Sequence, residues 1–594
     1  MSLFQELKRR NVIRVGTTYF VASWLLLQIV DVLVPILDLP AWVGKLVFLF
    51  LAIGLVPSLI FSWAYEMTSE GLKRDSEVVA DQSIARHTAK KLDRMTIVLL
   101  LIVVGIVVID RLIPESVDAP AQSPATDKVA EIPVPVDDRQ SVAVLPFVNM
   151  SDDDSNEYFS DGISEELLNV LVSIETLRVP SRTSSFTFKG SNKKLSEIGR
   201  ELGVAHVLEG SVRKAGNRIR VTAQLIEVST DTHLWSGTYT RDLDDIFAVQ
   251  DEIARAIVDA LQLTLSGADQ QKLESHSTDN VDAYNKYLVG RHLWNQRTPE
   301  SLRGAVSALS EAVEMDPEFD QAWSALADSY VLMPEYNAGA IEEYIPLARE
   351  AVTKALAINP DSARALTTSA YYKAYYGYDW DGSVADFERA IELAPGYATA
   401  HQWFGEILNQ VGRLDEALIQ LRLARKADPM SVVVRHVPGY MMLWAFRLDE
   451  AEVHYMDTLE LGGQPLRWTL HNLDFLYTFR GDYDKARQQA RQLAQMEGFD
   501  PAADLARIDA VENPELKERA LRLLRQREDL RDGVYGKALH YAVLGEYELA
   551  LESLEAGFAA GDPLATQLGI MKVYEPLQDN PRFQALLREV NLLQ

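Results

Sequence analysis

The chain has 594 residues, a formal net charge of −28 and no cysteine. Because single hydrophobic cores stop growing near about 250 to 300 residues, this length predicts several domains. The lack of cysteine excludes disulfides, thiolate nucleophiles and Cys-ligated metal sites, and the acidic excess after residue 113 disfavours a nucleic-acid partner.

Three apolar runs stand near the amino terminus, at 15–37, 42–63 and 95–112. Each approaches the roughly 20 residues that a helix needs to cross a bilayer, so the sequence predicts a membrane anchor at 1–113 with three transmembrane helices. Basic residues precede the first run and separate the second from the third. By the positive-inside rule, this predicts a cytoplasmic amino terminus and extracytoplasmic domains after the third run.

Residues 114–138 are rich in Pro, Ala, Ser and Asp, which predicts an extended linker. Between 139 and 265, short β-type runs alternate with amphipathic helical ones and predict a small α/β domain. Its predicted strands are 142–147, 177–180, 206–214, 218–228 and 233–240, and its predicted helices are 162–174, 195–202 and 246–263.

Four motifs follow one another in this domain: Val142-Ala143-Val144-Leu145-Pro146-Phe147-Val148-Asn149, Glu157-Tyr158-Phe159-Ser160-Asp161-Gly162-Ile163, Leu208-Glu209-Gly210-Ser211-Val212-Arg213 and Leu234-Trp235-Ser236. In this order they resemble the TolB amino-terminal-like (FlgO-type) domain, which often precedes tetratricopeptide repeats in bacterial membrane proteins. The resemblance implies a protein of the bacterial cell envelope. Combined with the predicted topology, it predicts an anchor in the inner membrane and C-terminal domains in the periplasm. Some members of that family carry a nucleotide cyclase or a winged-helix domain at the front, for which segment 64–94 is too short.

From about residue 281 the chain repeats itself with the tetratricopeptide (TPR) period. Leu414-Asp415-Glu416-Ala417 and Leu448-Asp449-Glu450-Ala451 stand 34 residues apart. Successive units end in Pro317, Pro360, Pro395 and Pro429. Small residues let two helices approach closely and proline stops the second, so segment 281–594 is predicted to be an all-α TPR superhelix with a C-terminal cap.

Seven hairpins are predicted, at 283–317, 318–360, 361–395, 396–429, 430–463, 464–498 and 533–563. Segment 499–532 is charged and helical, and whether it forms an atypical hairpin stays open at this stage. Residues 574–590 are predicted to form the cap.

Stacked hairpins give a concave groove that suits a helix or an extended peptide, so the sequence predicts a protein or peptide partner there. The candidate groove residues are Tyr371, Tyr375, Tyr378, Trp380, His401, Arg435, His436 and His471. The three histidines recur at 35-residue intervals, and a row of metal or anion ligands is the alternative to simple packing. For the aromatic residues, the alternative to a partner-binding wall is core packing.

No phosphate loop, nucleophile elbow, zinc-protease helix or dinucleotide fingerprint occurs in the chain. The sequence therefore predicts a non-enzymatic interaction scaffold or adaptor without catalytic, cofactor-binding or metal residues. One alternative is a receptor that senses a small ligand through the α/β domain. The other is an enzyme of the cell envelope.

Overall fold

A computed structural model describes residues 140–594 apart from 152, 154–155, 175, 268, 271–276, 337, 462–466, 527–532, 560–565 and 594, together with 19, 22–23, 26–27, 47, 50–51, 54–55, 65–68 and 71–74. The chain divides into two units, Met1–Pro135 and Val136–Gln594. In the first unit, strands β1 (Tyr65–Thr68) and β2 (Gly71–Arg74) form an antiparallel pair, and the Tyr19 hydroxyl donates to the Leu51 carbonyl at 2.8 Å.

The prediction of three transmembrane helices is wrong on the described residues, none of whose helices is both long and apolar enough to cross a membrane. The longest helix among the described elements, Ile341–Ile358, has 18 residues and carries charged side chains. The predicted spans 15–37, 42–63 and 95–112 themselves lie almost wholly outside the described residues.

The second unit begins with a six-stranded sheet. Its strands are β3 (Gln140–Val144), β4 (Val148–Asn149), β5 (Leu177–Arg178), β6 (His206–Ala215), β7 (Arg218–Glu227) and β8 (Thr232–Asp242). They lie in the order β5-β3-β6-β7-β8, and β4 pairs with β6. β3 is parallel to β5 and β6, while β6, β7 and β8 form an antiparallel meander.

Apolar and polar residues alternate along the strands, and this alternation decides which face of the sheet is buried. On β7, Ile219, Val221 and Ala223 are buried while Arg220 between them is exposed. Helix α1 (Glu157–Val172) covers the buried face through Phe159, Ile163, Leu167 and Leu171, which recur at helical spacing. The other helices of this domain are α2 (Arg182–Phe186), α3 (Leu195–Leu202) and α4 (Ile246–Ala260).

The rest of the unit is a stack of paired antiparallel helices, which confirms the predicted TPR-type array. Hairpins 1 to 8 are Val281–Asn295 with Pro299–Met315, Asp320–Glu335 with Ile341–Ile358, Ala363–Gly377 with Trp380–Leu393, Ala398–Gln410 with Leu414–Ala427, Val432–Trp444 with Leu448–Glu460, Arg467–Arg480 with Tyr483–Glu497, Ala502–Glu512 with Lys517–Gln526, and Gly533–Val543 with Tyr547–Ala559. Hairpin 7 shows that segment 499–532 contains an atypical hairpin. A 3-10 helix (Lys572–Leu577) and a final α-helix (Pro581–Glu589) follow.

Small residues bring the helices of a hairpin together, as the repeat signature requires. A Cβ on Gly290 in hairpin 1 would lie 2.5 Å from Leu309 of the second helix, and a Cβ on Gly405 in hairpin 4 would lie 2.9 Å from Leu421. Both distances are shorter than van der Waals contact, so no larger residue fits without moving the paired helix.

Candidate functional site

The α/β domain lies directly against the repeat array through helix α1. Every residue from Phe159 to Leu168 in this helix is buried, so the helix has no solvent-facing side over that stretch. Its apolar stripe faces the sheet, and its polar side faces the first helix of hairpin 1. A Cβ on Gly162 would lie 2.8 Å from Leu288 of that helix, so glycine is what allows this close approach.

Glu165 is the centre of the contact. One carboxylate oxygen accepts from Arg291 Nε at 3.1 Å and Nη2 at 2.8 Å, and the other lies 2.7 Å from Arg182 Nε. Glu165 and Arg291 are 4 % and 6 % exposed. Burial alone would raise the pKa of Glu165, but the neighbouring arginines lower it to about 2, which keeps this carboxylate charged.

The neighbouring Glu166 has the opposite electrostatics. Burial and the charge of Glu165 raise its pKa to about 7, although the Tyr287 hydroxyl donates to it at 3.1 Å. Two adjacent buried carboxyl groups thus differ strongly in pKa because only Glu165 is paired with arginines. When two carboxyl groups lie close together, the negative charge of one raises the pKa of the other.

The ionic network extends into hairpins 2 and 3. Asp328 lies 3.8 Å from Arg291 and 3.9 Å from Arg364, and it accepts a hydrogen bond from the Thr368 hydroxyl. Burial raises the pKa of Asp328. These side chains lie on the first helices of hairpins 1, 2 and 3, so one carboxylate of α1 is connected to three consecutive repeats.

A second ion pair flanks this network. Lys189 Nζ lies 2.6 and 2.7 Å from the two oxygens of Asp161, and His292 lies 3.3 Å from the same carboxylate. Although burial opposes it, hydrogen bonding to His292 and Lys189 lowers the pKa of Asp161. The Asp161-Gly162 part of the second motif is therefore used to dock the domain on hairpin 1.

A separate contact connects α2 to the junction between hairpins 4 and 5. The backbone N–H of Ser181 donates to the Ala427 carbonyl at 2.7 Å, and the Ser184 hydroxyl donates to Asp428 at 2.5 Å. The N–H of Met430 donates to the Ser184 oxygen at 2.8 Å. The α/β domain thus touches the array at both hairpin 1 and hairpin 4.

The C-terminal segment folds back onto hairpins 3 and 5. Trp380 Nε1 donates to the Val590 carbonyl at 2.8 Å, Asn591 Nδ2 donates to the Tyr378 carbonyl at 3.1 Å, and the Tyr440 hydroxyl donates to Gln567. Apolar side chains of this segment belong to the same core cluster as hairpins 3 to 8.

The structure places the four predicted aromatic residues within these internal contacts. Tyr371 packs 4.5 Å from the ring of Tyr375, whose hydroxyl accepts from Gln410 at 3.0 Å. Tyr375 and Trp380 are buried, and Tyr371 and Tyr378 are half-buried. Tyr378 and Trp380 hold the C-terminal segment.

The predicted basic residues lie further along the array. His401 is buried, with Nδ1 2.6 Å from Gln420 and Nε2 2.9 Å from the Pro395 carbonyl. His436 is buried 3.0 Å from Thr469 Oγ1, and burial lowers its pKa to about 4.

Arg435 and His471 are only partly buried. Arg435 donates to the Pro429 carbonyl and to Asp457, and the His471 ring lies 4.9 Å from Phe475. Within the described residues no group of three acidic, His or Cys side chains is placed to hold a metal ion. The three histidines are therefore not placed to bind one metal ion together.

Sequence reasoning missed the residues that connect the two domains: Glu165, Glu166, Arg291, Asp328 and Arg364. One signal was present, because Glu165-Glu166 lies among the apolar residues of the predicted helix 162–174, just after the Asp161-Gly162 pair at its start. The arginine partner of Glu165 is 126 residues away, and no local periodicity reveals it.

Exposed apolar side chains concentrate in hairpins 5 and 6. Four of the eleven large hydrophobic residues that are exposed among the described positions are Val433, Phe446, Val453 and Trp468. Val433 and Trp468 are each the second residue of a first helix, and they are 43 % and 47 % exposed. Equivalent positions of adjacent hairpins lie side by side in a stacked array. We call these two residues the 433/468 pair.

No protein-family model matches the chain. Over 198 residues, or 33 % of its length, the chain is 42 % identical to "Putative adenylate cyclase 3" of Rhizobium meliloti, of which it covers 34 %. It is 22 % identical to "Transcriptional regulator HilA" of Salmonella typhimurium over 62 % of this chain and 65 % of that protein. The chain thus spans less than two thirds of either curated relative.

Among solved structures, the chain is similar to PilW, a "widely conserved type IV pilus biogenesis factor". The identity is 18 % and the TM-score is 0.32, over 38 % of this chain and 97 % of PilW.

Proposed function

We propose that this protein is a non-enzymatic scaffold that binds a protein or peptide partner through its TPR-type array, with the 433/468 pair as the anchor point. The observation that carries this proposal is the exposure of Val433 and Trp468 at equivalent positions of adjacent hairpins, on an array whose predicted groove aromatics make contacts within the chain. Exposed apolar clusters on soluble surfaces mark interaction sites, and tryptophan is enriched among the residues that dominate binding energy.

The chemistry at the anchor point favours a partner with an apolar side chain. The Arg467 guanidinium lies 4.0 Å above the Trp468 ring, so a cation stands next to the apolar surface.

Site-specific photocrosslinking tests the proposal in living cells. A photoreactive amino acid replaces Trp468 in the full chain, and Leu347, an exposed apolar residue of hairpin 2, serves as the matched control position. We expect one defined partner to be crosslinked at 468 and not at 347, and Val433→Asp to remove that adduct. Equal adducts at both positions, or an adduct that survives Val433→Asp, would refute the anchor point.

A second candidate function, sensing of a small ligand, is favoured by one observation. A cavity of about 230 Å³ lies between the α/β domain and hairpins 3 and 4, lined by residues that include Ile174, Arg178, Gly396 and Lys426. A ligand there would contact both domains at once. Small-molecule binding detected by calorimetry and abolished by Gly396→Trp would favour this function over the scaffold.

The cellular location and the family of the α/β domain are separate proposals that rest on the sequence. We propose a bacterial cell-envelope protein with a TolB amino-terminal-like domain, associated with the inner membrane and with its C-terminal domains in the periplasm. Fractionation, followed by protease treatment of spheroplasts, tests the location. Cleavage within 114–138 only after lysis would contradict it.

A further inference from the structure

Strand β8 forms one edge of the sheet and is far longer than the strand at the opposite edge. It has 11 residues, against two in β5, and among the described residues it pairs with β7 alone. One side of β8 therefore presents a row of backbone N–H and C=O groups without a neighbouring strand. Such an edge is a template for another strand.

The part of β8 from Trp235 to Asp242 is regular. The irregularity in its pairing with β7 lies between Trp235 and His233, and beyond it the register continues without interruption to Asp242. Natural edges are usually protected by lysine, proline or a bulge. The segment 235–240 has none of these, and its side chains are half-buried or exposed.

We infer that β8 pairs with β8 of a second copy of this chain, antiparallel and about a two-fold axis at Thr238. In this register Thr238 faces its own counterpart, Ser236 faces Thr240, Gly237 faces Tyr239, and Trp235 faces Arg241. The two sheets become one continuous sheet across the axis. Two-fold pairing uses the same surface on both copies and closes on itself, so it gives a dimer and not a fibre.

The facing pairs at the centre of this register are of a favourable kind, because Thr–Thr and Ser–Thr pairs hydrogen-bond across strands. Arg241 lies 3.5 Å from Glu252 of its own chain, so its charge is paired where it faces Trp235 of the other copy. No facing pair between 235 and 241 brings like charges together.

The two faces of β8 differ. The rings of Trp235 and Tyr239 lean over Gly237 of their own strand, where a Cβ would lie 2.6 Å from Trp235, and both side chains pack against the core of the domain. On the opposite face, Thr238 is exposed and its hydroxyl lies 3.4 Å from that of Thr222 on β7.

The absence of cysteine makes a sharp test possible. Directly opposed residues of an antiparallel pair have Cα atoms about 4.5–5.5 Å apart, within the range of a disulfide. Thr238→Cys in the full chain should therefore give a covalent dimer on mild oxidation, seen on a non-reducing gel. Ser236→Cys alone should not, whereas the double variant with Ser236→Cys and Thr240→Cys should.

Light scattering of the wild-type chain supplies an independent measurement. We expect a dimer, and we expect Thr240→Lys to make it monomeric without changing the circular dichroism spectrum, because a lysine at the edge opposes strand addition. A monomeric wild-type chain, or Thr238→Cys that stays monomeric on oxidation, would overturn the inference. So would Ser236→Cys that crosslinks as readily as Thr238→Cys, or Thr238→Cys that crosslinks to a different protein.

Discussion

Replacing Arg291 by methionine should separate the α/β domain from the repeat array. Arg291 supplies two hydrogen bonds to Glu165, and both side chains are more than nine-tenths buried. Methionine keeps much of the volume and removes the charge. Glu165 is then left with Arg182 as its remaining close cation.

Two considerations bound the magnitude. Removing one partner of a buried ion pair costs about 3–5 kcal/mol when the other charge is left without compensation. Here Glu165 keeps Arg182 at 2.7 Å, and the fall of its pKa from 4.5 to about 2, which corresponds to about 3 kcal/mol, is the joint effect of Arg291, Arg182 and Arg364 against burial. We therefore expect Arg291→Met to weaken the docking of the two domains by about 1–3 kcal/mol at pH 7.

Differential scanning calorimetry of the full chain measures this effect. In the wild type the docked domain and hairpins 1 to 4 should unfold together, and in Arg291→Met the α/β domain should give a separate transition at lower temperature. Arg389→Met is the matched control, since Arg389 forms exposed ion pairs with Asp361 and Glu392. It should leave the calorimetric trace unchanged, because exposed ion pairs contribute little.

A double-mutant cycle decides whether the ion pair is the cause. Glu165→Met should recover much of the stability lost in Arg291→Met, because an apolar pair leaves no buried charge. If the two losses simply add, or if Arg389→Met is as harmful as Arg291→Met, the reasoning is refuted.

Three further predictions concern the same contacts. Because the pKa of Glu166 is raised to about 7, the folded chain binds more protons than the unfolded chain between pH 4.5 and 7. The free energy of unfolding therefore falls as pH rises through this window. Glu166→Gln should reduce this pH dependence in urea unfolding measured from pH 4 to 8, and it should stabilise most above pH 7. Gly162→Val should cost about 1–3 kcal/mol through a clash with Leu288, and Leu288→Ala in the same chain should restore part of it, measured by thermal unfolding. Trp380→Phe should cost about 1 kcal/mol by removing the hydrogen bond to Val590, seen as faster hydrogen exchange in 566–593 while hairpin 1 is unchanged.

The repeat array could be predicted because its determinants are local and periodic. Pro395 and Pro429, together with Ala417 and Ala451, recur at the spacing of the hairpins that the structure shows. Hairpin 7 is harder to recognise because its helices, Ala502–Glu512 and Lys517–Gln526, have only 11 and 10 residues and contain fewer of the signature residues.

The docking of the two domains could not be predicted from the same patterns. Asp161, Glu165 and Glu166 stand on the polar side of α1, where helical periodicity indicates solvent. In the structure that side is covered by hairpin 1, whose Tyr287 and Arg291 lie more than 120 residues away in the chain. Periodicity shows that a helix has two faces, but it does not show what covers the polar one.

The predicted groove aromatics illustrate the same limit. Tyr375 and Trp380 have the residue type and spacing of a binding wall, yet their polar atoms bond to Gln410 and to Val590 of this chain. An aromatic residue of a repeat can bind either a partner or a segment of its own chain. For Trp380 the answer depends on Val590, which lies 210 residues away in the sequence. The sequence leaves both uses open.

The use of charge at the domain contact has a physical consequence. If α1 faced the array with leucine and valine, the isolated domain would expose a large apolar surface before docking and would associate non-specifically. Glutamates and Asp161 instead make that surface polar, and in the docked state Arg291 and His292 of hairpin 1 contact Glu165 and Asp161. Because a misplaced carboxylate would be buried without a partner, docking has to satisfy Glu165 through Arg291, Asp161 through His292 and Ser184 through Asp428 at the same time. The network therefore fixes the angle between the two domains, and with it the direction in which β8 and the 433/468 pair point.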